Sequence, residues 1–187
     1  AACYGRVAYQ TAYMKANFPA EYMCAVLSAE AGDTEKISEV ITECQRMGIP
    51  VLPPDINSSF KDFTVIKRPA SDIAPGFADQ SQKDKEELHI NEEQSRHGDD
   101  QIRFGLLTIK NLGEAIAEAI ITERKIAGPF KDIENFVSRV HHKDLNKKSL
   151  ESLIKCGALD NFEERNALLV NVDQLLNYSR EAQRNSS

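Results

Sequence analysis

One stretch constrains the fold more than any other: Leu106–Arg124, LLTIKNLGEAIAEAIITER. A short apolar run predicts a helix ending at Ile109, the polar, glycine-marked Lys110–Gly113 predicts a tight turn, and a longer amphipathic helix is expected to follow. Two helices joined by so short a turn must lie side by side, with Leu112 pointing inward to lock them. The region is therefore predicted to be an αα-hairpin within a mainly helical domain.

This arrangement resembles the helix-hairpin-helix motif, in which a Gly-hydrophobic-Gly turn meets DNA. Glycines give such a turn its left-handed backbone and let a phosphate come close. Unpaired N–H groups at the start of the second helix point at that phosphate, and the helix dipole adds partial positive charge there. Contacts of this kind read the phosphate backbone and ignore the bases. Here Asn111 stands in place of the first glycine, and Asn is the next residue best suited to left-handed geometry. Lys110, Asn111, Leu112 and Gly113 are thus the first candidate DNA contacts, with Lys110 supplying a cation. A plain αα-hairpin would carry the same pattern, and on these residues alone the two readings weigh evenly.

A second candidate unit is KKSLESLIKCGALDNF, Lys147–Phe162. Leu150, Leu153 and Ile154 form its apolar face, Gly157 turns the chain, and Lys147, Lys148 and Lys155 are placed to meet phosphates. An ordinary glycine helix cap beside a solvated lysine face explains the same residues, and taken alone that plainer account is preferred.

Elsewhere the chain reads as helices with a small β element. Residues 2–17 carry apolar side chains at helical spacing until Asn17 and Pro19 interrupt them, and Pro19 suits the first turn of a second helix. Asp33 and Thr34 offer a cap for a third, whose apolar positions Ile37, Val40, Ile41 and Cys44 repeat at i, i+3, i+4, i+7 before Gly48 ends it. IPVLPPDIN and Phe63–Ile66 are strand-like, and IRFGLL from Ile102 is expected to pair with Phe63–Ile66. Further helices are predicted over 113–127, 133–140, 146–155 and 163–182. Residues 67–101 lose all periodicity and read as a disordered acidic insertion, of a length that loop-closure entropy tolerates. The expected division is 1–66, 67–101, 102–160 and a C-terminal helix and tail at 161–187.

Charge supports that division. The net −6 looks wrong for a nucleic-acid binder, yet residues 102–160 hold 10 basic and 8 acidic side chains and are the one positive region. Four scattered cysteines without a CxxC pair predict reduced thiols, with Cys24 and Cys44 filling helical cores. No apolar run reaches the ~18 residues of a membrane span, and no secretory leader is apparent, which predicts a cytoplasmic protein without a membrane partner. The chain opens at Ala1 already in helical register, the pattern of a piece cut from something longer.

Catalytic signatures are missing. His141 and His142 are adjacent and cannot share a helix face, so a zinc site is not expected. Asp99 and Asp100 fall in the insertion, a poor place to hold magnesium. There is no phosphate-cradling glycine loop and no nucleophile motif. Neither a catalytic nor a metal-binding residue is expected in the chain.

Five blocks then bear on the whole: AYQTAYMKANFPAEYMCAVLSAE, ECQRMGIPVLPPDINSS, IRFGLLTIKNLGEAIAEAIITER, GPFKDIENFVSRV and NKKSLESLIKCGALD. In this order they resemble consecutive parts of the bacterial DNA polymerase III alpha subunits, the C-family replicative polymerases. The resemblance implies that residues 1–66 are the latter part of the helical fingers and residues 102–160 a tandem helix-hairpin-helix region holding duplex DNA. It places the catalytic aspartates and their magnesium outside this chain, which needs no cofactor of its own. It implies Arg6 and Lys15 as weak candidates to face a nucleotide triphosphate. Its implied partners are primer-template DNA, the remaining polymerase domains and other replisome subunits. The alternative is a stand-alone helical interaction module without a DNA role. A base-excision glycosylase is disfavoured, because the helix after the hairpin offers only Glu114, Glu118 and Glu123.

Overall fold

The computed structural model describes residues 2–67 and 100–185, and the expected insertion from 68 to 99 lies outside them. The described residues fall into two compact units, one drawn from Ala1–Val51 and Val65–Ile102, the other from Leu52–Thr64 and Arg103–Ser187. Residues 52–64 and the C-terminal helices lie in the same unit as the hairpins.

In the first unit, α1 (Ala2–Asn17) packs on α2 (Pro19–Ala29), and α2 on α3 (Thr34–Arg46). Pro19 occupies the first turn of α2, where its missing N–H costs nothing, and the helix buries Ala20, Met23, Cys24 and Leu27. Asp33 caps α3 by accepting from the amides of Glu35 (3.1 Å) and Lys36 (3.3 Å). The helix ends at Gly48, which has φ +74, with Ile49 N–H returning to Cys44 O at 2.9 Å. None of the four cysteines, all among the described residues, forms a disulfide; Cys24 and Cys44 are buried, and burial pushes the Cys44 thiol up.

Three short strands, β1 (Val51–Leu52), β2 (Thr64–Ile66) and β3 (Gln101–Arg103), pair in the order β1-β3-β2. The expected partnership of Ile102 with Phe63–Ile66 is present, and β1 adds a neighbour on the other edge of β3. Bonds from Ile102 N to Pro50 O (2.9 Å) and from Phe104 N to Leu52 O (3.1 Å) advance in step on both strands, the mark of parallel pairing. Asp100, expected within the insertion, is instead buried beside β3.

The second unit carries one apolar core. It is built from a 3₁₀ turn (Leu106–Thr108) and helices α4 (Glu114–Ala127), α5 (Ile133–Arg139), α6 (Lys147–Lys155), α7 (Arg165–Val170) and α8 (Val172–Asn185). Fully buried Leu106, Ile116, Ile120, Phe136, Leu150, Leu153, Ile154 and Leu168 form its centre. Two elements depart from expectation. The helix predicted to end at Ile109 is a single 3₁₀ turn, because the stretch between Gly105 and the hairpin is too short to propagate an α-helix. The helix predicted over 163–182 breaks at Asn171, whose side-chain amide donates to Ala167 O (3.0 Å), the carbonyl that its own backbone N–H also uses. None of the helices described is long and apolar enough to cross a membrane.

The loop of residues 53–60 fastens these helices together. Ile56 N–H donates to Ala158 O (2.9 Å), while Arg124 donates to Ile56 O and Ser59 O, both at 3.0 Å. Asn57 exchanges two bonds with the Phe130 backbone, at 2.9 and 2.8 Å. Part of a stretch that reads as strand-like in sequence, this loop therefore binds both hairpins, at Arg124 and at Ala158.

Candidate nucleic-acid interface

The turn between the 3₁₀ element and α4 closes through Leu112 N–H to Ile109 O at 3.2 Å. Asn111 has φ +63, the one positive φ outside glycine among the described residues, so it occupies the left-handed position expected for it. Gly113 does not share that geometry. It sits at φ −79, ψ 166, which any residue adopts, and a Cβ there would meet nothing within 4 Å. The left-handed demand thus rests on Asn111 alone, and glycine at 113 instead leaves open space above the start of α4.

That start carries no capping side chain. By contrast Asp33, Asp132 and Asn146 cap α3, α5 and α6. The amides of Gly113, Glu114 and Ala115 belong to exposed residues and have no acceptor among the described residues. Three convergent N–H groups at a positive helix end form a nest that an anion can occupy. Lys110 and Asn111 are exposed beside it, and Lys110 has no ion-pair partner among the described residues. Glu114 and Glu118 would oppose an anion, but Lys61 bridges both, at 3.1 Å to Glu114, and these bonds, Glu118 first, hold the Lys61 ammonium above its usual range.

Leu112, a candidate contact, is not available as one. It is 5% exposed, packs in the core, and its amide is spent on Ile109. Its part is to hold the hairpin shut.

The second hairpin joins the first through one bond that sequence reasoning missed: Asn111 Nδ2 donates to Ser152 Oγ at 3.1 Å. Lys148, Ser152 and Lys155 recur at i, i+4 and i+7, so the face of α6 that meets the first hairpin carries two lysines. Lys110 and Lys155 line a common groove of about 510 Å³ floored by Pro53, Pro54, Phe104 and Ile109. Lys148 is exposed without an ion-pair partner among the described residues, whereas Lys155 pairs with Glu151 at 3.1 Å on its own helix. Lys147 points elsewhere, gripping both Asp173 oxygens at 2.8 Å, which holds its ammonium above the ordinary range.

Gly157, also a candidate contact, has another role. It is buried at φ +84, with its N–H on Ile154 O (3.0 Å) and that of Ala158 on Leu153 O (3.1 Å). That double bond pattern is a helix-ending Schellman turn with no donor to spare. The left-handed backbone is what requires glycine, since a Cβ would meet only the movable ends of Asp160 and Arg165.

The arginines of this region are committed to the fold. Arg124 serves the 53–60 loop, Arg139 bonds Glu123 at 3.0 Å and stacks on Phe130, and Arg103 lies 3.9 Å from Asp55. In the other unit Lys15 pairs with Glu43 at 3.0 Å, while Arg6 is exposed on α1. No group of three His, Cys, Asp or Glu among the described residues could hold a metal ion.

The model for the helix-hairpin-helix motif family matches residues 48–169. The chain is 39% identical over 181 residues to a DNA polymerase III subunit alpha of Thermus aquaticus, covering 97% of this chain and 12% of that protein. It is 38% identical to the DNA polymerase III subunit alpha of Deinococcus radiodurans (94% of this chain, 11% of that protein). Against that of Escherichia coli K12 the identity is 36% (91% and 12%). The chain thus spans about an eighth of the curated relatives it matches.

Proposed function

The chain belongs to the helix-hairpin-helix family, and from that premise we propose that it is the part of a bacterial DNA polymerase III alpha subunit that holds duplex DNA by sequence-independent phosphate contacts during template-directed synthesis. The observation that carries this reading is the exposed, uncapped start of α4, with open space over Gly113 and Lys110 at its side. A phosphate there accepts from the amides of residues 113–115 while Lys110 neutralises its charge. The lysine-bearing face of α6 extends the contact toward a neighbouring phosphate. Lys148 and Lys155 are the residues for it, and Leu112 and Gly157 act only through the fold.

In this reading α1–α3 are the latter part of the fingers, and Arg6, rather than the paired Lys15, is the side chain left to meet a triphosphate. In the same reading, nucleotidyl transfer and the two metal ions it uses belong to aspartates outside this chain. The protein works in the cytoplasm among other replisome subunits. Other polymerase domains cover α1, where Tyr9 and Tyr13 form an exposed aromatic pair and Tyr4 is 84% exposed.

The test is a fluorescence-anisotropy titration of the chain with a fluorescent duplex across a range of salt. Affinity is expected to be weak, indifferent to sequence, and to fall with salt at a slope set by the phosphates neutralised. Lys110→Ala should weaken binding to all sequences alike and reduce that slope by about one. Absence of binding even at low salt, or a Lys110→Ala slope equal to the parent's, refutes the assignment.

A further inference from the structure

A second concentration of positive charge lies in the hairpin unit, away from the Lys110–Gly113 turn. A depression of about 660 Å³ opens between residues 141–147 and α8. Lys143 and Lys147 reach it from one wall and Arg180 from the other, with the imidazoles of His141 and His142 at the rim. Asp173 is its one carboxylate among the lining residues, held by Lys147. His142 Nδ1 accepts from the amide of Asp144 at 3.2 Å.

Cations gathered in a concavity repel one another and focus field into it, a cost that an anion relieves. A second observation points the same way. Ser179 lines the depression at only 5% exposure, yet its hydroxyl has no hydrogen-bond partner among the described residues. The hydroxyl opens on the basic hollow rather than into the core, where it is suited to an anionic oxygen. The chain as a whole is acidic, so this cluster runs against its average charge.

We propose that this depression is a second phosphate-binding site. Lys143, Lys147 and Arg180 neutralise the phosphate, and the Ser179 hydroxyl donates to one of its oxygens. Asp173 competes with the ligand for Lys147 and sets the site's affinity. The site needs no contact at the hairpin turn, and half of it comes from α8, in the tail beyond the region that the sequence marks as DNA-binding.

The experiment is amide NMR of the ¹⁵N-labelled chain, titrated separately with inorganic phosphate and with a 20-base-pair duplex. It is repeated for Asp173→Asn and Arg180→Glu, both at exposed positions that the core does not need. Duplex DNA is expected to move the signals of residues 141–147 and 179–180. Asp173→Asn should tighten binding there roughly three- to tenfold and Arg180→Glu weaken it by a similar factor. Movement with inorganic phosphate but not with duplex supports the site and assigns it to free phosphate instead of a nucleic-acid backbone. If neither probe moves these signals, or both variants bind as the parent does, the proposal is overturned. Signals of residues 113–116 report on the hairpin separately: their silence while 141–147 respond refutes the hairpin contact alone, and the reverse pattern refutes this site alone.

Discussion

Giving α4 the cap it lacks separates stability from DNA binding. In Gly113→Asp the new side chain enters open space, and the backbone at φ −79, ψ 166 already has the extended geometry of a capping residue. Its carboxylate is placed to accept from the amides of Ala115 and Ile116, as Asp132 does from Asn135 at 2.7 Å. Replacing glycine by aspartate at a cap contributes a few tenths of a kcal/mol, and the charge at the positive helix end adds about 0.3–1 kcal/mol. Thermal melting should therefore rise by roughly 2–6 °C.

DNA binding should move the other way. One of the donors that would meet a phosphate, the Ala115 amide, is now occupied, and the site has gained a negative charge. One lost charge-assisted hydrogen bond costs about 1.5–3 kcal/mol, which is roughly a ten- to hundredfold rise in Kd by anisotropy. Gly113→Asn supplies a neutral cap and distinguishes occupied donors from simple repulsion: it should also weaken binding, though less. A Gly113→Asp chain that melts higher and binds duplex unchanged would show that these amides never touch DNA. One that melts lower would show that the start of α4 was not free.

Other perturbations test the scaffold. Gly105→Ala would place a Cβ 2.6 Å from Asp62 Cα and closer still to the Lys61 carbonyl, disturbing the bonds of Leu106 and Leu107 to residues 60 and 61. Backbone cannot yield as a side chain tip can, so a loss of about 2–3 kcal/mol is expected in urea unfolding. Asn57→Ala removes both bonds to the Phe130 backbone and leaves that part-buried amide unsatisfied, with an expected loss of about 2 kcal/mol by the same assay. Asp160 is held below the usual carboxylate range, first by its hydrogen bond from Arg165 and then by that residue's charge. The pair's contribution is fully present above the unfolded carboxylate pKa of about 3.9 and is lost as pH falls through the lowered folded value. Melting curves of the parent and Asp160→Asn should therefore differ slightly at pH 6 and converge in strong acid.

What the sequence makes legible is what local chemistry decides. Pro19, Asp33, Gly48 and Asn111 each act within one turn of chain, and each does in the structure what its residue type demands. Asn111 is the clearest case, because φ +63 is a property of four residues and needs no distant partner. The hidden features depend on parts of the chain far apart in sequence. Nothing in PPDIN reveals that Asn57 will clamp a backbone 73 residues away, and nothing in KKSLESLIK marks Ser152 as the group Asn111 reaches across 41 residues. Glycine illustrates both limits. Gly113 and Gly157 look alike in sequence and both read there as phosphate contacts, yet one stands in open space and the other is buried, left-handed and bonded. The path of the chain beyond each glycine sets the difference. After Gly113 the chain enters α4 at once, so its end amides stay unpaired. After Gly157 it folds back on α6, and the preceding helix consumes the donors. A DNA contact of this kind therefore depends less on having glycine in a hairpin than on where the hairpin's amides are left to point, and of these two hairpin turns the first leaves them outward.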